Sequence, residues 1–465
     1  MTSNHVPVVI IGAGPAGLTA AYELAMHNIH PLVLEKADKV GGIARTEVYK
    51  GYHFDIGGHR FFTKIPTVQQ LWEQMLGPDF HRVHRLSRIY YRGHFFYYPL
   101  NLWNTLSNLG LWESVWILLS YIKARLLPAK PEDNFERWVS NRFGWRLYQT
   151  FFQTYTEKVW GIPCHEIQAE WAAQRIHGLS LTTAVLSALF GTENAKSLIH
   201  EFYYPTQGPG MMWQRFAEAV VSKGGQVWLQ AEVVALQRDD QRVNAVLVNH
   251  EGKEVRITVD QVISSMPLRE LVAAFDPPPP DVVREAAQGL HYRDFILVGL
   301  ILNCPNPFPD NWLYIHSPEV QVGRIQNFRN WSQMMVPDAH KTSLGLEYFC
   351  NEGDALWSMP DQELVALAAR ELNSIGLASA ADVEEGVVFR QRKAYPVYDR
   401  DYRVNLAAIR GFLATVTNLQ TIGRNGMHRY NNMDHSMLTG MLAARNVLGE
   451  QHDLWKVNTE QEYYE

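Results

Sequence analysis

The N-terminal part of the chain changes from a continuous apolar run to a helical pattern and back to an apolar run. Residues 8–11 are four consecutive β-branched residues, Val-Val-Ile-Ile, which predict a strand buried in a parallel sheet. Residues 18–27 carry apolar positions at helical spacing, and residues 30–35 form a second apolar run that ends in Glu35. This order predicts a β–α–β unit and therefore an α/β fold.

Helical spacing dominates the middle of the chain, and strand patterns dominate the part that follows. Helices are predicted at residues 103–127, 135–142, 144–159, 168–190, 361–375 and 434–448. Strands are predicted at residues 225–236, 243–248, 255–259, 260–266, 295–303, 344–350 and 387–393. Four prolines at 277–280 mark a boundary. We predict an α/β domain assembled from separated segments, with a helical insertion and a mixed-sheet domain. The segments of the α/β domain are residues 1–75, 201–280 and 405–465, the insertion is 76–200, and the sheet domain is 281–404.

Length and composition indicate a large globular protein. With 465 residues, 46% of them hydrophobic and 19% charged, the chain should fold into two or more lobes. Its net charge of −6 and the lack of a basic block argue against a nucleic-acid partner. The isolated Cys164, Cys304 and Cys350 argue against a disulfide framework or a metal site, and they favour a reducing, cytoplasmic location. The first strand begins close to the N-terminus, so no signal peptide is expected.

Residues 115–122 form the most apolar helical stretch. They are bounded by Glu113 and Lys123, and they are too few for the about 18 residues of a transmembrane helix. We therefore expect no transmembrane segment. A buried amphipathic helix is the prediction here, and contact with a membrane surface is the alternative.

The first apolar run leads directly into a glycine-rich turn. Gly12, Gly14 and Gly17 stand at the spacing G-x-G-x-x-G. In such a turn the first glycine lets the chain reverse, the second lets the backbone approach a pyrophosphate, and the third lets the helix pack close to the strand. The helix then offers its N-terminal N–H groups to the phosphates. Glu35, which lies 21 residues after Gly14, is placed to accept a ribose hydroxyl, so a bound dinucleotide is predicted.

Two further glycine pairs indicate which dinucleotide is bound. Gly41 and Gly42 precede Arg45, and Gly57 and Gly58 follow soon after. A nicotinamide domain needs no such loops, whereas a tightly held flavin needs backbone along its ribityl chain and ring. Arg45 is expected to meet the pyrophosphate as a charge-assisted donor, and a solvated loop cation is the alternative. The loops together predict bound FAD.

These motifs and the late pair Gly423-Arg424 resemble the FAD-dependent superfamily of amine oxidases, protoporphyrinogen oxidases and UDP-galactopyranose mutases. Further stretches look most like the mutases, and the likeness spans nearly the whole chain. The stretches are residues 96–99, 147–160 and 171–175, Trp312 and Tyr314 with Arg324, and residues 423–434. The resemblance implies a Rossmann-like FAD domain, a helical domain and a sheet domain, with the substrate bound over the flavin.

The resemblance to the mutases also implies a reaction, in which a nucleotide sugar is rearranged through an adduct at N5 of the reduced flavin. Such chemistry requires a reductant for the flavin, for example NAD(P)H, and fixed cations for the diphosphate leaving group. The catalytic candidates are His59, Arg175, Tyr314, Arg324, Tyr395 and Tyr430. Besides the early glycines, Glu35 and Arg45, the candidates for FAD contact are His59, Val233, Gly423, Arg424 and Met433.

The sequence is also compatible with purely structural roles for the catalytic candidates. Arg175 can pair with a helix carboxylate, Arg324 can be a surface cation on a strand, and any tyrosine can be a core residue with its hydroxyl at the edge. The alternative function is a true oxidoreductase of the same superfamily, which takes hydride from an amine or a porphyrinogen-like ring. Arg60 and residues 347–354 depart from the mutase pattern, and they leave the substrate open.

Overall fold

The computed structural model describes residues 4–98, 102–169 and 201–459. Arg175 and nearly all of the helix predicted at 168–190 lie outside these ranges. The helices of the described ranges are α1 (Pro15–Met26), α2 (Pro66–Leu76), α3 (Leu102–Leu109), α4 (Leu111–Leu126), α5 (Phe135–Phe143), α6 (Trp145–Leu147), α7 (Thr154–Trp160), α8 (Gly210–Ser222), α9 (Leu268–Ala273), α10 (Asp281–Gln288), α11 (Ala355–Ser358), α12 (Asp361–Ser374), α13 (Tyr402–Leu413) and α14 (Met433–Val447).

The strands of the described ranges form two large sheets and two short ladders. They are β1 (Asn4–Ile11), β2 (Leu32–Leu34), β3 (Thr46–Tyr49), β4 (Tyr52–Asp55), β5 (Phe80–His84), β6 (Ser87–Tyr91), β7 (His94–Tyr97), β8 (Glu201–Pro205), β9 (Gln226–Trp228), β10 (Ala231–Arg238), β11 (Val243–His250), β12 (Lys253–Ser264), β13 (Phe275–Asp276), β14 (Tyr292–Leu302), β15 (Trp312–Ile315), β16 (Arg324–Asn327), β17 (Thr342–Cys350), β18 (Val383–Pro396) and β19 (Leu419–Thr421). The α/β fold predicted from the sequence is confirmed.

The first sheet has the order β13-β10-β11-β12-β1-β2-β9, and β19 pairs with β12. Its centre is parallel, with β1 between β2 and β12. Val9 and Ile10 of β1 are fully buried, as expected for a strand covered on both faces. Residues 255–259 and 260–266 were predicted as two strands, but most of this stretch belongs to one, β12. The first half of β12 pairs antiparallel with β11, and its end pairs parallel with β19.

The second sheet has the order β18-β14-β17-β16-β15-β6-β7. It is antiparallel except where β15 runs parallel to β6. β6 and β7 come from a part of the chain where the sequence predicted helices, so this stretch has mixed structure. Because β6 pairs with β15, the β6–β7 hairpin lies beside the strand that carries Tyr314.

The helix predicted at 103–127 is two helices, because Gly110 adopts a positive φ of 80° between α3 and α4. The expectation that residues 115–122 are buried is wrong. Ile117 and Tyr121 are buried, whereas Trp116 and Leu119 are about half exposed, at 45% and 50%. The other described residues cover one narrow side of α4, and most of its remaining large apolar residues are exposed. In the described ranges no helix is long and apolar enough to cross a bilayer.

Candidate active site

A cavity of about 500 Å³ lies between the ends of the first sheet and the face of the second. Gly12 and Glu35 reach it from the carboxyl ends of β1 and β2, and Val233 reaches it from β10. Arg324 and Tyr395 line it from strands of the second sheet. Ligands of open α/β sheets bind at the carboxyl ends of the parallel strands, so this cavity is the candidate site.

The glycine-rich turn has the geometry that a dinucleotide requires. Gly12 adopts a φ of 97°, and its N–H donates to the carbonyl of Leu34 at 2.8 Å. A Cβ on Gly17 would lie 1.9 Å from the carbonyl oxygen of Gly12, so α1 packs against β1 only with glycine there. The first turn of α1 carries no acidic residue, which leaves its N–H groups available to a phosphate.

Glu35 is held in place by backbone donors. Its two carboxylate oxygens accept hydrogen bonds from the N–H groups of Ala13 at 2.8 Å and Ala37 at 2.9 Å. The side chain lines the cavity and is largely buried. A carboxylate oxygen can accept more than one hydrogen bond, so Glu35 retains capacity for a ribose hydroxyl.

The later glycines bring backbone close to the same space. Gly42 crosses Gly14 so closely that a Cβ on Gly42 would lie 3.2 Å from the Cα of Gly14. Gly41 and Gly57 adopt φ values of 107° and 100°, which favour glycine. A Cβ on Gly58 would lie 2.9 Å from the amide nitrogen of Gln326. Side chains at these positions would fill the cavity wall or distort it.

Residues of the C-terminal segment form a further part of the cavity wall. Gly423, Arg424 and Met433 line the cavity. Gly423 adopts a φ of 78°, and its N–H donates to the hydroxyl of Thr439 at 3.0 Å. Arg424 donates to the carbonyl of Asn431 at 3.0 Å, which fixes the turn before α14.

Arg45 is held by three hydrogen bonds within the protein. Its guanidinium donates to the carboxylate of Glu47 at 2.6 Å, to the carbonyl of Gly42 at 2.9 Å and to the amide oxygen of Gln391 at 2.6 Å. These bonds fix the loop that contains Gly42. Among the described residues, Arg45 is not part of the cavity lining. Its contact with a pyrophosphate stays a prediction.

The shape and chemistry of this cavity fit FAD. Close-packed glycine backbone, an open helix N-terminus and a fixed carboxylate are what its phosphates and ribose require. When bound, FAD supplies the hydride and electron transfer that the side chains cannot carry out.

His59 lines the cavity next to Gly58, and its position beside a flavin ring stays a prediction. Its Nδ1 is buried and has no hydrogen-bond partner among the described residues. Burial lowers the pKa of His59 to about 3, with a further contribution from the charges of Arg424 and Arg324. His59 is therefore neutral at physiological pH.

Arg324 lies at the cavity wall and is paired with a carboxylate. Its Nε and Nη2 lie 2.7 and 2.5 Å from one oxygen of Glu347, which is fully buried. Burial opposes the charge of Arg324, but Glu347 raises its pKa well above the ordinary value. Arg324 is thus a permanent, oriented cation, and it is not the surface strand cation that was the alternative.

Two tyrosines stack beside this cation. The rings of Tyr395 and Tyr430 are 5.7 Å apart and nearly parallel, at 17°. Trp160 contacts both rings edge-on or tilted, with centroids 6.2 and 6.3 Å away. Burial raises the pKa of Tyr395 to about 12, although Arg324 opposes the shift, so the Tyr395 hydroxyl stays protonated and can donate a hydrogen bond.

Tyr314 lies next to this group but outside the cavity lining found for the described residues. Its ring contacts Tyr98 at 5.2 Å and Tyr155 at 5.7 Å. Tyr155 stacks on His316 at 4.5 Å and is close enough to Arg324 for their charges to interact. Tyr314 therefore supports the wall of the site, and any direct contact with a ligand stays a prediction.

Three residues at the site were not among the candidates predicted from the sequence. Arg60 lines the cavity, Glu347 orients Arg324, and Tyr155 interacts electrostatically with Arg324. Arg60 and Glu347 lie in the two places where the sequence departs from the mutase pattern, so the departure itself was the available signal. Tyr155 lies in the stretch 147–160 that resembles the mutases, but the resemblance assigned it no role.

Solved structures with the same fold include flavoenzymes of different activities. Reduced UDP-galactopyranose mutase superimposes with a TM-score of 0.84 and 22% identity, covering 98% of this chain and 100% of the other. Cyclohexylamine oxidase from Brevibacterium oxydans IH-35A superimposes with a TM-score of 0.65 and 17% identity, covering 96% and 99%. Identities this low establish a shared fold only.

Sequence comparison gives the family. The chain is 25% identical over 347 residues to an L-amino-acid oxidase of Crotalus adamanteus, which covers 66% of this chain and 59% of that protein. The chain therefore spans less than two thirds of the length of this relative. The family model described as flavin containing amine oxidoreductase matches residues 15–448. The chain belongs to the flavin-containing amine oxidoreductase family, and its cofactor is FAD.

Proposed function

We propose that this FAD-dependent enzyme rearranges a nucleotide sugar, in the manner of UDP-galactopyranose mutase. The observation that carries the proposal is Arg324, a partly buried and permanently charged guanidinium at the cavity wall. A diphosphate leaving group needs a fixed cation that stabilises its growing charge. The reaction on FAD requires a reduced flavin, so a reductant such as NAD(P)H belongs to the proposal.

The cavity lining carries both signs of charge, with Glu35, Glu232, Glu270 and Asp434 beside its cations, and its arginines are the groups that can bind phosphate oxygens. Arg60, Arg324 and Arg424 all line the cavity, and the guanidinium of Arg424 lies 4.5 Å from the centre of the Tyr430 ring. His59 is neutral, so it adds no charge of its own. Phosphate oxygens next to these guanidinium groups would be attracted to them.

The side chains of the site have distinct parts in the proposal. Arg324 and the protonated hydroxyl of Tyr395, whose oxygen lies 3.4 Å from Nη2 of Arg324, hold the diphosphate. The stacked rings of Tyr395 and Tyr430 shield the reacting centre from water. His59, which lines the cavity beside Gly58, packs next to the flavin as a neutral imidazole. Since its pKa is about 3, it is not a proton donor at neutral pH.

A second candidate is the oxidation of an amino acid. The likeness to an L-amino-acid oxidase and the same cation support it, because Arg324 could hold a substrate carboxylate as well as a phosphate. The two candidates differ in net redox change. The rearrangement leaves the substrate at its original oxidation level, whereas amino-acid oxidation transfers hydride to the flavin and electrons to oxygen.

The deciding experiment uses the FAD-loaded protein. Under anaerobic conditions the dithionite-reduced enzyme is titrated with UDP and with UDP-galactose, while the flavin spectrum and the sugar products are followed. Binding together with a furanose product supports the rearrangement. Failure of both ligands to bind, with oxygen consumption on L-amino acids, supports the second candidate and contradicts the first.

The role of Arg324 is tested separately. Arg324→Ala should weaken UDP binding by about 2–4 kcal/mol while FAD stays bound. The double variant Arg324→Gln with Glu347→Gln avoids an unpaired buried carboxylate and should show the same loss. Arg82→Ala is the control, since the Arg82 side chain is 67% exposed. Unchanged UDP affinity in the folded double variant would show that Arg324 does not hold the diphosphate.

A further inference from the structure

α4 presents an extensive apolar face to solvent. Trp112 and Leu126 are 74% and 73% exposed, although most large apolar side chains in the described ranges are buried. The exposed large apolar residues of α4 are Leu111, Trp112, Val115, Trp116, Leu118, Leu119, Ile122 and Leu126. Eight such residues in sixteen positions are more than the scattered apolar residues of an ordinary surface.

The exposed residues form one continuous surface. At 100° per residue they fall within an arc of about 160° around the helix axis. Ile117 and Tyr121, which are buried, lie on the opposite side, where α4 packs against α5 and α6. Trp112 and Trp116 touch edge to face, with ring centres 5.9 Å apart. The helix therefore has one face inside the protein and one apolar face directed outwards.

The charges around this face are positive. Lys123 lies within the apolar arc and Arg125 at its edge, and both are exposed. In the described part of the chain neither takes part in an ion pair. Glu113, the acidic residue of α4, is neutralised by two bonds from Arg146 at 2.6 and 2.8 Å. The face thus combines apolar side chains with cations whose charge is uncompensated.

We propose that α4 binds in the plane of a membrane surface that carries anionic lipids. Tryptophan favours the boundary between apolar chains and water, and two of them lie on this face. Lys123 can lay its alkyl stem along the acyl region while its ammonium reaches a lipid phosphate. A protein partner fits less well, because lysine is depleted at the centre of protein interfaces. The proposal is independent of the reaction that the cavity catalyses.

The test uses the FAD-loaded, full-length protein and sedimentation with lipid vesicles. Vesicles of phosphatidylcholine alone are compared with vesicles that also contain 30% phosphatidylglycerol. We expect binding to the anionic vesicles that weakens at high salt. The double variant Trp112→Ser with Trp116→Ser should bind at least about tenfold more weakly, and Lys123→Glu with Arg125→Glu should lose the preference for anionic lipid.

The matched control is Val221→Ser with Val404→Ser, since these valines are 55% and 73% exposed on other helices. It should bind like the wild type. Retained FAD absorbance establishes that each variant is folded. Absence of wild-type binding at millimolar lipid, or equal binding by the tryptophan variant, overturns the proposal. A wild-type dimer in light scattering that the tryptophan variant converts to monomer also overturns it, because a second copy is then the occupant.

Discussion

Arg324 and Glu347 lie opposite each other on the neighbouring antiparallel strands β16 and β17, and together they place a buried ion pair at the wall of the FAD cavity. Gln326 donates to the second oxygen of Glu347 at 2.7 Å, so the carboxylate is held from two sides. One edge of the guanidinium is fixed by Glu347. The cation is therefore oriented before any ligand arrives, which reduces the reorganisation that binding an anion requires.

The first prediction concerns this pair. Glu347→Gln removes the negative charge and leaves a buried guanidinium without its counter-charge, so the free energy of unfolding should fall by about 3 kcal/mol. UDP should raise the melting temperature of the variant more than that of the wild type, because its diphosphate replaces the missing charge. Thermal unfolding with and without UDP measures both effects. Glu352→Gln is the control, since Glu352 pairs with Arg392 in an exposed position. Equal stabilisation of the two variants by UDP would contradict the prediction.

The second prediction concerns the glycine turn. Gly17→Ala would place a Cβ 1.9 Å from the carbonyl oxygen of Gly12, so α1 must move away from β1 and the dinucleotide turn must open. We expect a loss of stability of at least about 2 kcal/mol and a lower FAD content. Gly411→Ala is a helical control with no atom within 4 Å of the new Cβ, and it should be neutral or stabilising by up to about 1 kcal/mol. The ratio of flavin to protein absorbance and urea unfolding measure the two quantities. A Gly17→Ala protein with full FAD content would refute the close-packing argument.

The third prediction concerns Lys158, whose ammonium lies within 3.2 Å of four carbonyl oxygens in the loop between β15 and β16. The four residues are Ile315, Ser317, Val320 and Val322. Because the loop joins the strands of Tyr314 and Arg324, Lys158→Met should loosen the substrate wall. We expect UDP affinity to fall about tenfold, equal to about 1.4 kcal/mol, with FAD still bound.

Isothermal titration of the Lys158→Met protein with UDP provides the measurement. Lys253→Met, at an exposed position, serves as the control and should bind UDP like the wild type. If the folded Lys158→Met protein binds UDP with unchanged affinity, the loop does not depend on this side chain for its position.

The fourth prediction concerns pH. Burial raises the pKa of Asp55 to about 7, although hydrogen bonds from Tyr204 and Thr46 favour the ionised form. The native state therefore binds a proton between about pH 4 and pH 7 that the unfolded state does not bind, and this contribution to stability is lost as the pH rises through 7. Asp55→Asn cannot ionise, so its stability relative to the wild type should increase by about 3 kcal/mol between pH 5 and pH 8, because the wild type loses about 1.36 kcal/mol per pH unit up to pH 7.

Urea unfolding of both proteins at pH 5 and pH 8 gives this difference directly. Asp240→Asn is the control, because Asp240 is exposed. A constant difference between wild type and Asp55→Asn at the two pH values would mean that Asp55 is ionised in the native state throughout this range.

The sequence predicted the features that depend on contacts between residues close together in the chain. The turn of Gly12 and Gly17 depends on contacts between residues five positions apart, so the motif predicts its own geometry. The helix predicted at 361–375 ends within one residue of α12, because its apolar spacing and its flanking proline act locally. FAD, the α/β fold and the family follow from such local patterns.

Long-range contacts decided the rest. Glu347 becomes the partner of Arg324 through the register of β16 and β17, which no spacing in the sequence reveals. Strand pairing also decided the extent of β12. Most of the two strands predicted at 255–259 and 260–266 forms this one strand, which pairs with β11 and with β19. The apolar pattern of α4 is compatible with a buried helix and with an exposed one, and only the packing of its neighbours left it exposed. The sequence by itself determined the dinucleotide turn, because that geometry is local; the tertiary structure decided which charges meet and which apolar faces stay uncovered, because those depend on segments far apart in the chain.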